Sequence, residues 1–470
     1  MMKTPERYRP AFHFTPEANW MNDPNGLVWI GGRYHLFYQY YPDGVAWGPM
    51  HWGHATSGDL LDWERLPVAL YPDRIGWIFS GSAVVDRENT AGFGAGALVA
   101  IFTYHDDSIA RQGRYDTESQ GIAWSRDGGR SWTKHAGNPV LGNSGERDFR
   151  DPKVFRNARI GRWNMILAAG DRMKIYSSSN LTDWRHESDF IPRAEGFSGV
   201  WECPDLFPMK ADDGEKWVLV ASQTGNAPNG GSGTRWFTGD FNGREFSNQS
   251  DPVWLDYGKD LYAAVTFNDA PDGRRILLGW MSNWQYAAKT PTEGWRGAMT
   301  IPRELELIRE GGFWRLRQSP VPSWTAALTT VFEAAETELP FRREGLDLSR
   351  TEISFTLEAA ELRISLSNAS GDTVVIESID QTVSFDRRKS GNTDFSEDFA
   401  PGRQTMPLDG KLRDVRLILD ASSVELLVNG GSRSMTNLVF PETPYTVISI
   451  EGSSTVKNLM IRSYEGGPCR

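Results

Sequence analysis

At 470 residues, with 39% hydrophobic and 24% charged residues, the chain is long for one domain and can bury a large core, so two folded domains are expected. A net charge of −11 argues against nucleic acid or an anionic membrane as partner, since either would need a basic face, and it fits a neutral substrate without identifying one. Two cysteines, Cys203 and Cys469, exclude a disulfide framework and read as reduced thiols, while nineteen tryptophans suit sugar binding but more commonly fill β-rich cores.

The first residues carry no apolar signal-peptide core and no run reaches membrane-spanning length, which predicts an unexported, cytoplasmic protein, or a secreted one if a leader has been removed. The first strong feature is Trp-Met-Asn-Asp-Pro-Asn-Gly at residues 20–26. It opens a hairpin: an apolar strand to Ile30, a Gly31-Gly32 turn, and an aromatic strand from Arg33 to Tyr41. Pro24 stiffens the backbone beside Asp23 and biases Asp23 itself toward extended conformations. Turn chemistry alone also explains these residue types, so the motif supports both a functional and a purely structural reading.

Helical periodicity is weak along the rest of the chain. Short apolar runs such as Ala97 to Phe102, Trp163 to Leu167, Trp217 to Ala221 and Arg275 to Trp280 are separated by Gly, Asn, Asp and Pro, which predicts an all-β fold. A weak repeat of the form strand, Ser, Asp or Asn turn, then Trp ends at Trp63, Trp132 and Trp184, with an echo ending at Phe246. Its spacing is of the order of a propeller blade with insertions, so a five-bladed β-propeller is expected over residues 8–322. A polar, alanine-rich stretch at 323–338 reads as a linker, with room for a short helix. Alternating strands near 352–357, 415–419 and 424–428 then predict a C-terminal β-sandwich over 339–470.

Among 61 acidic residues, three stand out by context. Asp23 is the first. Asp151 lies in Phe-Arg-Asp-Pro-Lys-Val-Phe, a second carboxylate locked before a proline, with Arg150 able to hold an acid ionised or grip a hydroxyl. Glu202 sits between Trp201 and Cys203-Pro204, bulky surroundings that would raise a carboxyl pKa by desolvation, as a general acid needs. Asp251-Pro252 repeats the acid–proline pair in a polar approach without an arginine and reads as a turn. Blades of a propeller converge on one axis, so three distant acids can share one pocket, and two carboxylates are the minimum for breaking a glycosidic bond.

Other chemistries fit less well. There is no Gly-x-Ser-x-Gly elbow and no phosphate-cradling glycine loop, and Phe79-Ser80 reads as a pocket wall. His51 and His54 lack further zinc ligands, and Cys203 has no histidine nearby. Asp106-Asp107 and Asp212-Asp213 read as polar turns without calcium-loop spacing.

The three acid motifs, in this order, resemble the signatures of glycoside hydrolase family 32, the β-fructofuranosidases: invertases, exo-inulinases, levanases and related fructosyltransferases. Segments around Phe37 to Tyr40, Trp52 to Ser57, Phe79 to Ala83, Trp295 to Leu305 and Asp420 to Glu425 are similar to family segments as well. The resemblance implies a five-bladed propeller followed by a β-sandwich, and a retaining double displacement on terminal β-fructosyl residues of sucrose, fructo-oligosaccharides, inulin or levan. Asp23 would be the nucleophile, Glu202 the acid/base and Asp151 the stabiliser of the transition state. Asn22, Gln39, Trp47, Phe79, Ser80, Arg150, Tyr262 and Trp295 would serve the fructose pocket. No metal or organic cofactor is implied, and the expected partner is the sugar alone. The rivals are a fructosyltransferase using the same covalent intermediate, and a non-catalytic fructan-binding protein, which the presence of all three acids disfavours. Many invertases carry Asn where Tyr41 stands, and the segments around Trp47, Pro228 and Trp280 look like the bacterial exo-acting branch. An unexported enzyme would meet imported sucrose or short oligosaccharides sooner than a long external polymer.

Overall fold

The computed structural model describes residues 6–211, 214–357, 361–453 and 455–466. Cys469 and Asp212-Asp213 lie outside that range. Five antiparallel sheets come first, each built as a meander. Their innermost strands are Asn19–Ile30, Trp77–Asp86, Phe149–Asn157, Trp201–Ala211 and Tyr262–Thr266. Each of these touches the innermost strand of the next sheet, and the fifth touches the first, so the sheets close a ring around one axis. A loop of the fifth sheet helps the closure, pairing Trp295–Arg296 in parallel with Asn19 and Trp20. This is a five-bladed β-propeller, and a β-sandwich follows it.

The weak sequence repeat marks the turn from the third to the fourth strand of successive blades. In blade 1, Asp59 Oδ1 accepts the backbone N–H groups of Leu61 and Asp62, each at 2.9 Å, and the Trp63 indole donates to the Leu60 carbonyl at 3.1 Å. Trp132 donates to Gly129 and Trp184 to Leu181 in the same way, at 3.0 and 2.9 Å. A short polar side chain thus satisfies the turn's donors while the indole pins its far end. Asn242 accepts from Arg244 and Glu245 at the matching place in blade 4, without the tryptophan.

The sandwich stacks two six-stranded sheets over a core that includes Ile353, Ile364, Leu366, Phe385 and Leu417. Alternation along its strands is the pattern expected of sheets with one buried face. The stretch at 323–338 is not a linker. After a short helix at Pro322–Ala326, Leu328–Thr337 forms an edge strand against Val456–Tyr464. Its outer face is solvated, which explains the polar composition, and a partner strand more than a hundred residues away supplies the ladder that composition could not reveal.

Buried ion pairs lock propeller and sandwich together. His13 lies 2.8 Å from Asp420 and 2.6 Å from Glu425, and Arg303 Nε reaches Glu425 at 3.1 Å and, through Nη1, Asp256 at 3.3 Å. Burial works against a charged His13, but the bonds to Asp420 and Glu425 prevail and raise it to about 9. Burial likewise opposes an ionised Glu425, yet Arg303 and His13 hold it down at about 2. The histidine therefore contributes stability in full below its ordinary 6.5, lost as pH rises through about 9, and the glutamate in full above its ordinary 4.5, lost as pH falls toward about 2. Urea midpoints measured across pH should form a plateau between these ordinary values and decline on both sides. A midpoint that stays level through pH 9 would remove His13 from this account.

Candidate active site

All five inner strands are irregular at the same end. Register shifts fall between Met21 and Pro24, Ile78 and Gly81, Glu202 and Asp205, and Tyr262 and Val265, and in blade 3 opposite the stretch from Arg150 to Lys153. Bulges turn side chains out of the alternation of a strand, and prolines at 24, 152 and 204 cannot donate to a ladder, so the kinks fall beside them. Asp151 and Cys203 each precede a proline and adopt φ values of 64° and 48°, a left-handed conformation rare for such residues.

These kinks aim three acids into one cavity of about 420 Å³. Asp23 accepts hydrogen bonds from Ser80 Oγ at 2.7 Å and from Asn22 Nδ2 at 3.1 Å. Asp151 Oδ2 accepts the backbone N–H of Cys203 at 2.9 Å. The Cys203 thiol lies 3.6 Å from Oδ2 of both aspartates, so these two carboxylates share one small neighbour. Glu202 is gripped by Arg150, whose Nη2 and Nε reach Oε1 at 2.7 and 3.1 Å, and its Oε2 accepts the hydroxyl of Tyr262. Arg150 is anchored in turn by Glu118 at 3.1 Å and Asp148 at 2.8 Å.

Burial is the main influence on the two aspartates. It raises Asp23, with Ser80 and Asn22 opposing and the Glu202 charge adding to the rise. It raises Asp151 as well, against the pull of Arg150, with Glu202 and Asp23 adding. Burial, then Asp151 and Asp23, push the Cys203 thiol well up, which keeps it a neutral spacer.

A raised Asp151 favours folding most at acid pH. That contribution is complete below the ordinary 3.8 and is lost progressively as pH rises to the raised value of about 8, because at neutral pH the fold must keep protonated a buried group that the unfolded chain has already ionised. Asp151→Asn should therefore raise the melting temperature at pH 7 by roughly 1–4 °C while crippling turnover, with the gain shrinking at about pH 4. Melts at the two pH values test this; an equal shift at both would mean the carboxylate charge is not the cause.

Of the residues singled out in the sequence, Asn22, Gln39, Trp47, Phe79, Ser80 and Arg150 line the cavity with the three acids. Tyr262 does not line it and acts on it through Glu202. Trp295 does not reach it: the ring is buried against Tyr8, Met281 and Tyr286, under the guanidinium of Arg9 at 4.4 Å, because its backbone is committed to closing the ring. The surroundings of Glu202 also differ from the apolar ones expected. Trp201 packs into the core, as alternation on a strand requires, so the carboxylate faces Arg150 and Tyr262 instead. Glu118, Asp148 and Tyr115 also line the cavity and had no sequence signal of their own, being separated residues in ordinary polar contexts, while Trp284, which lines it too, ends the segment around Trp280 that resembles the exo-acting branch.

Residues 13–320 match the family model described as glycosyl hydrolases family 32 N-terminal domain, and residues 321–463 match the family 32 C-terminal one. The chain belongs to glycosyl hydrolase family 32. It is 44% identical to a levanase of Bacillus subtilis, over 97% of this chain and 70% of that protein. It is 38% identical to an extracellular exo-inulinase of Aspergillus niger, over 92% of this chain and 90% of the relative. Among solved family 32 structures, the exo-inulinase of Aspergillus awamori superposes with a TM-score of 0.87 at 33% identity, covering 98% of each chain. A fructofuranosidase of Schwanniomyces occidentalis, complexed with fructose, gives 0.86 at 30% identity, covering 97% of this chain and 98% of its own. This family 32 member is thus a glycoside hydrolase. Among its described residues, no helix is long and apolar enough to cross a membrane.

Proposed function

We propose that this hydrolase is a retaining, exo-acting β-fructosidase, releasing terminal fructose from fructans or sucrose. The observation that carries the reading is the convergence of Asp23, Asp151 and Glu202 on one cavity. Below the acids the axis narrows to a throat of about 20 Å³, too small for a sugar ring, so a chain enters by its end. Asp23 attacks the anomeric carbon of the seated fructosyl unit while Glu202 gives a proton to the departing oxygen. Glu202 then takes a proton from water, which attacks the same carbon and releases Asp23. Asp151 accepts hydrogen bonds from ring hydroxyls and faces the positive charge that develops at the ring. Arg150 and Tyr262 hold Glu202 in line with the leaving group. The propeller, residues 8–322, is assigned the chemistry, and the sandwich its support.

Incubation with sucrose, inulin and levan should release free fructose, and none from any of them defeats the proposal. Proton NMR of the first product should show the β-anomer before mutarotation; the α-anomer would replace the covalent step with direct attack by water. The names of the levanase and exo-inulinase relatives favour fructans as substrates. Action in the cytoplasm, the expectation from the sequence, is tested by cell fractionation against the extracellular location that the name of one relative carries.

A further inference from the structure

The inner strands of blades 2, 3 and 4 begin at the acid-lined cavity, and their other ends surround a second one of about 360 Å³. It is bordered by Val84 to Asp86, Phe155 to Asn157 and Asp205 to Pro208, on the opposite side of the ring. Between the two cavities the axis is plugged by the buried pair Lys153–Asp205 at 3.0 Å, with Lys153 also donating to the Thr266 carbonyl at 2.6 Å. The far cavity is therefore not an extension of the acid-lined one.

Its polar groups are unspent. Asp205 Oδ1, Trp217 Nε1 and Arg275 Nε are buried and have no hydrogen-bond partner among the described residues, and all three residues line this cavity. Asp205 uses only Oδ2 on its neighbours, accepting from Lys153 and from the backbone and hydroxyl of Thr266. Two donors and one acceptor are left unpaired within the wall of a space that aromatic rings also line. Three of the arginines lining it pair with an acid, Arg87 with Asp269 at 3.7 Å, Arg156 with Glu88 at 2.7 Å, and Arg159 with Glu215 at 2.8 Å, and the fourth, Arg275, lies in the field of Asp205 and Asp269. Balanced charge disfavours an anion or a cation as ligand. Small volume, aromatic walls and unpaired donors and acceptors suit a neutral, hydroxyl-rich ring.

We propose that the far cavity is a second sugar-binding site, taking a neutral mono- or disaccharide. The reading of the acid-lined cavity supplies only the first choice of probe. Asp23→Asn protein, slow enough to keep its ligands, is crystallised and soaked with fructose, glucose and sucrose, and titrated with each by calorimetry. One of them should appear in the far cavity with hydroxyls on Asp205 Oδ1 and Trp217 Nε1, and should add a second site to the isotherm. Adding Trp217→Phe removes one donor and should weaken that site about 3- to 10-fold without changing the affinity of the other. Water alone in the far cavity at saturating concentrations of all three sugars overturns the proposal, as does a second site indifferent to Trp217→Phe. Should that variant fail to fold, the soaked crystals of the Asp23→Asn protein decide by themselves. A wrong fructosidase reading would show separately, as no fructose released by the unmodified protein, whatever the far cavity holds.

Discussion

Asp23→Asn should lower kcat on the order of 10⁴-fold or more while leaving sugar affinity within a few-fold of the parent. The two side chains have the same shape, and Asn retains an oxygen that can accept the Ser80 hydroxyl now bound at 2.7 Å. What disappears is the charged oxygen that attacks carbon, and an amide cannot form the covalent intermediate at a useful rate. Because Asp23 is buried and its ordinary acidity is weakened there, the same logic sets the acid limb of the parent enzyme. Activity should fall, on lowering pH, at values above the ordinary aspartate range, since the nucleophile must be ionised. Fructose release and calorimetric affinity measured on the same preparation separate chemistry from binding. Turnover within about tenfold of the parent would remove Asp23 from the nucleophile's role.

The largest expected loss of stability lies far from the acids. Glu425→Ala should cost about 3–5 kcal/mol, because it leaves the guanidinium of Arg303 and the ring of His13 buried without their shared partner. It also frees the backbone N–H of Ile301, which donates to Glu425 at 2.9 Å. Glu425→Gln retains acceptors without charge and should lose less. Urea unfolding of the three proteins at neutral pH tests this ordering. Equal stability of the alanine variant and the parent would show that the junction of propeller and sandwich is held by apolar packing alone. Through Arg303 and Asp256 the same hub ties the start of the chain, the fifth blade and the sandwich, so an open junction should also lower activity.

Much of this was legible in local sequence. Acid–proline pairs at 23–24 and 151–152 announced kinks at the ends of strands, since proline blocks the ladder wherever it falls. The Ser–Asp–Trp repeat announced blades, because each turn closes on its own side chains within a few residues. The strand at Leu328–Thr337 was not legible, as half its surface is solvated and its partner lies at Val456–Tyr464. Trp295 misled for a related reason. Its neighbours in sequence fit a sugar pocket, yet its backbone closes the ring against Asn19 and its indole is spent on packing.

What the chain alone determined was the set of residues with chemistry to offer, since each acid motif carries its own stiffening proline or charged neighbour. Which groups face each acid was decided only by closure of the ring. Glu118, Asp148 and Tyr262 come from three different blades or connections, and no spacing along the chain encodes their meeting at Arg150 and Glu202. A side chain's charge and shape belong to its residue. The electrostatic field in which it works is the sum over neighbours that folding brings together, and so belongs to the fold.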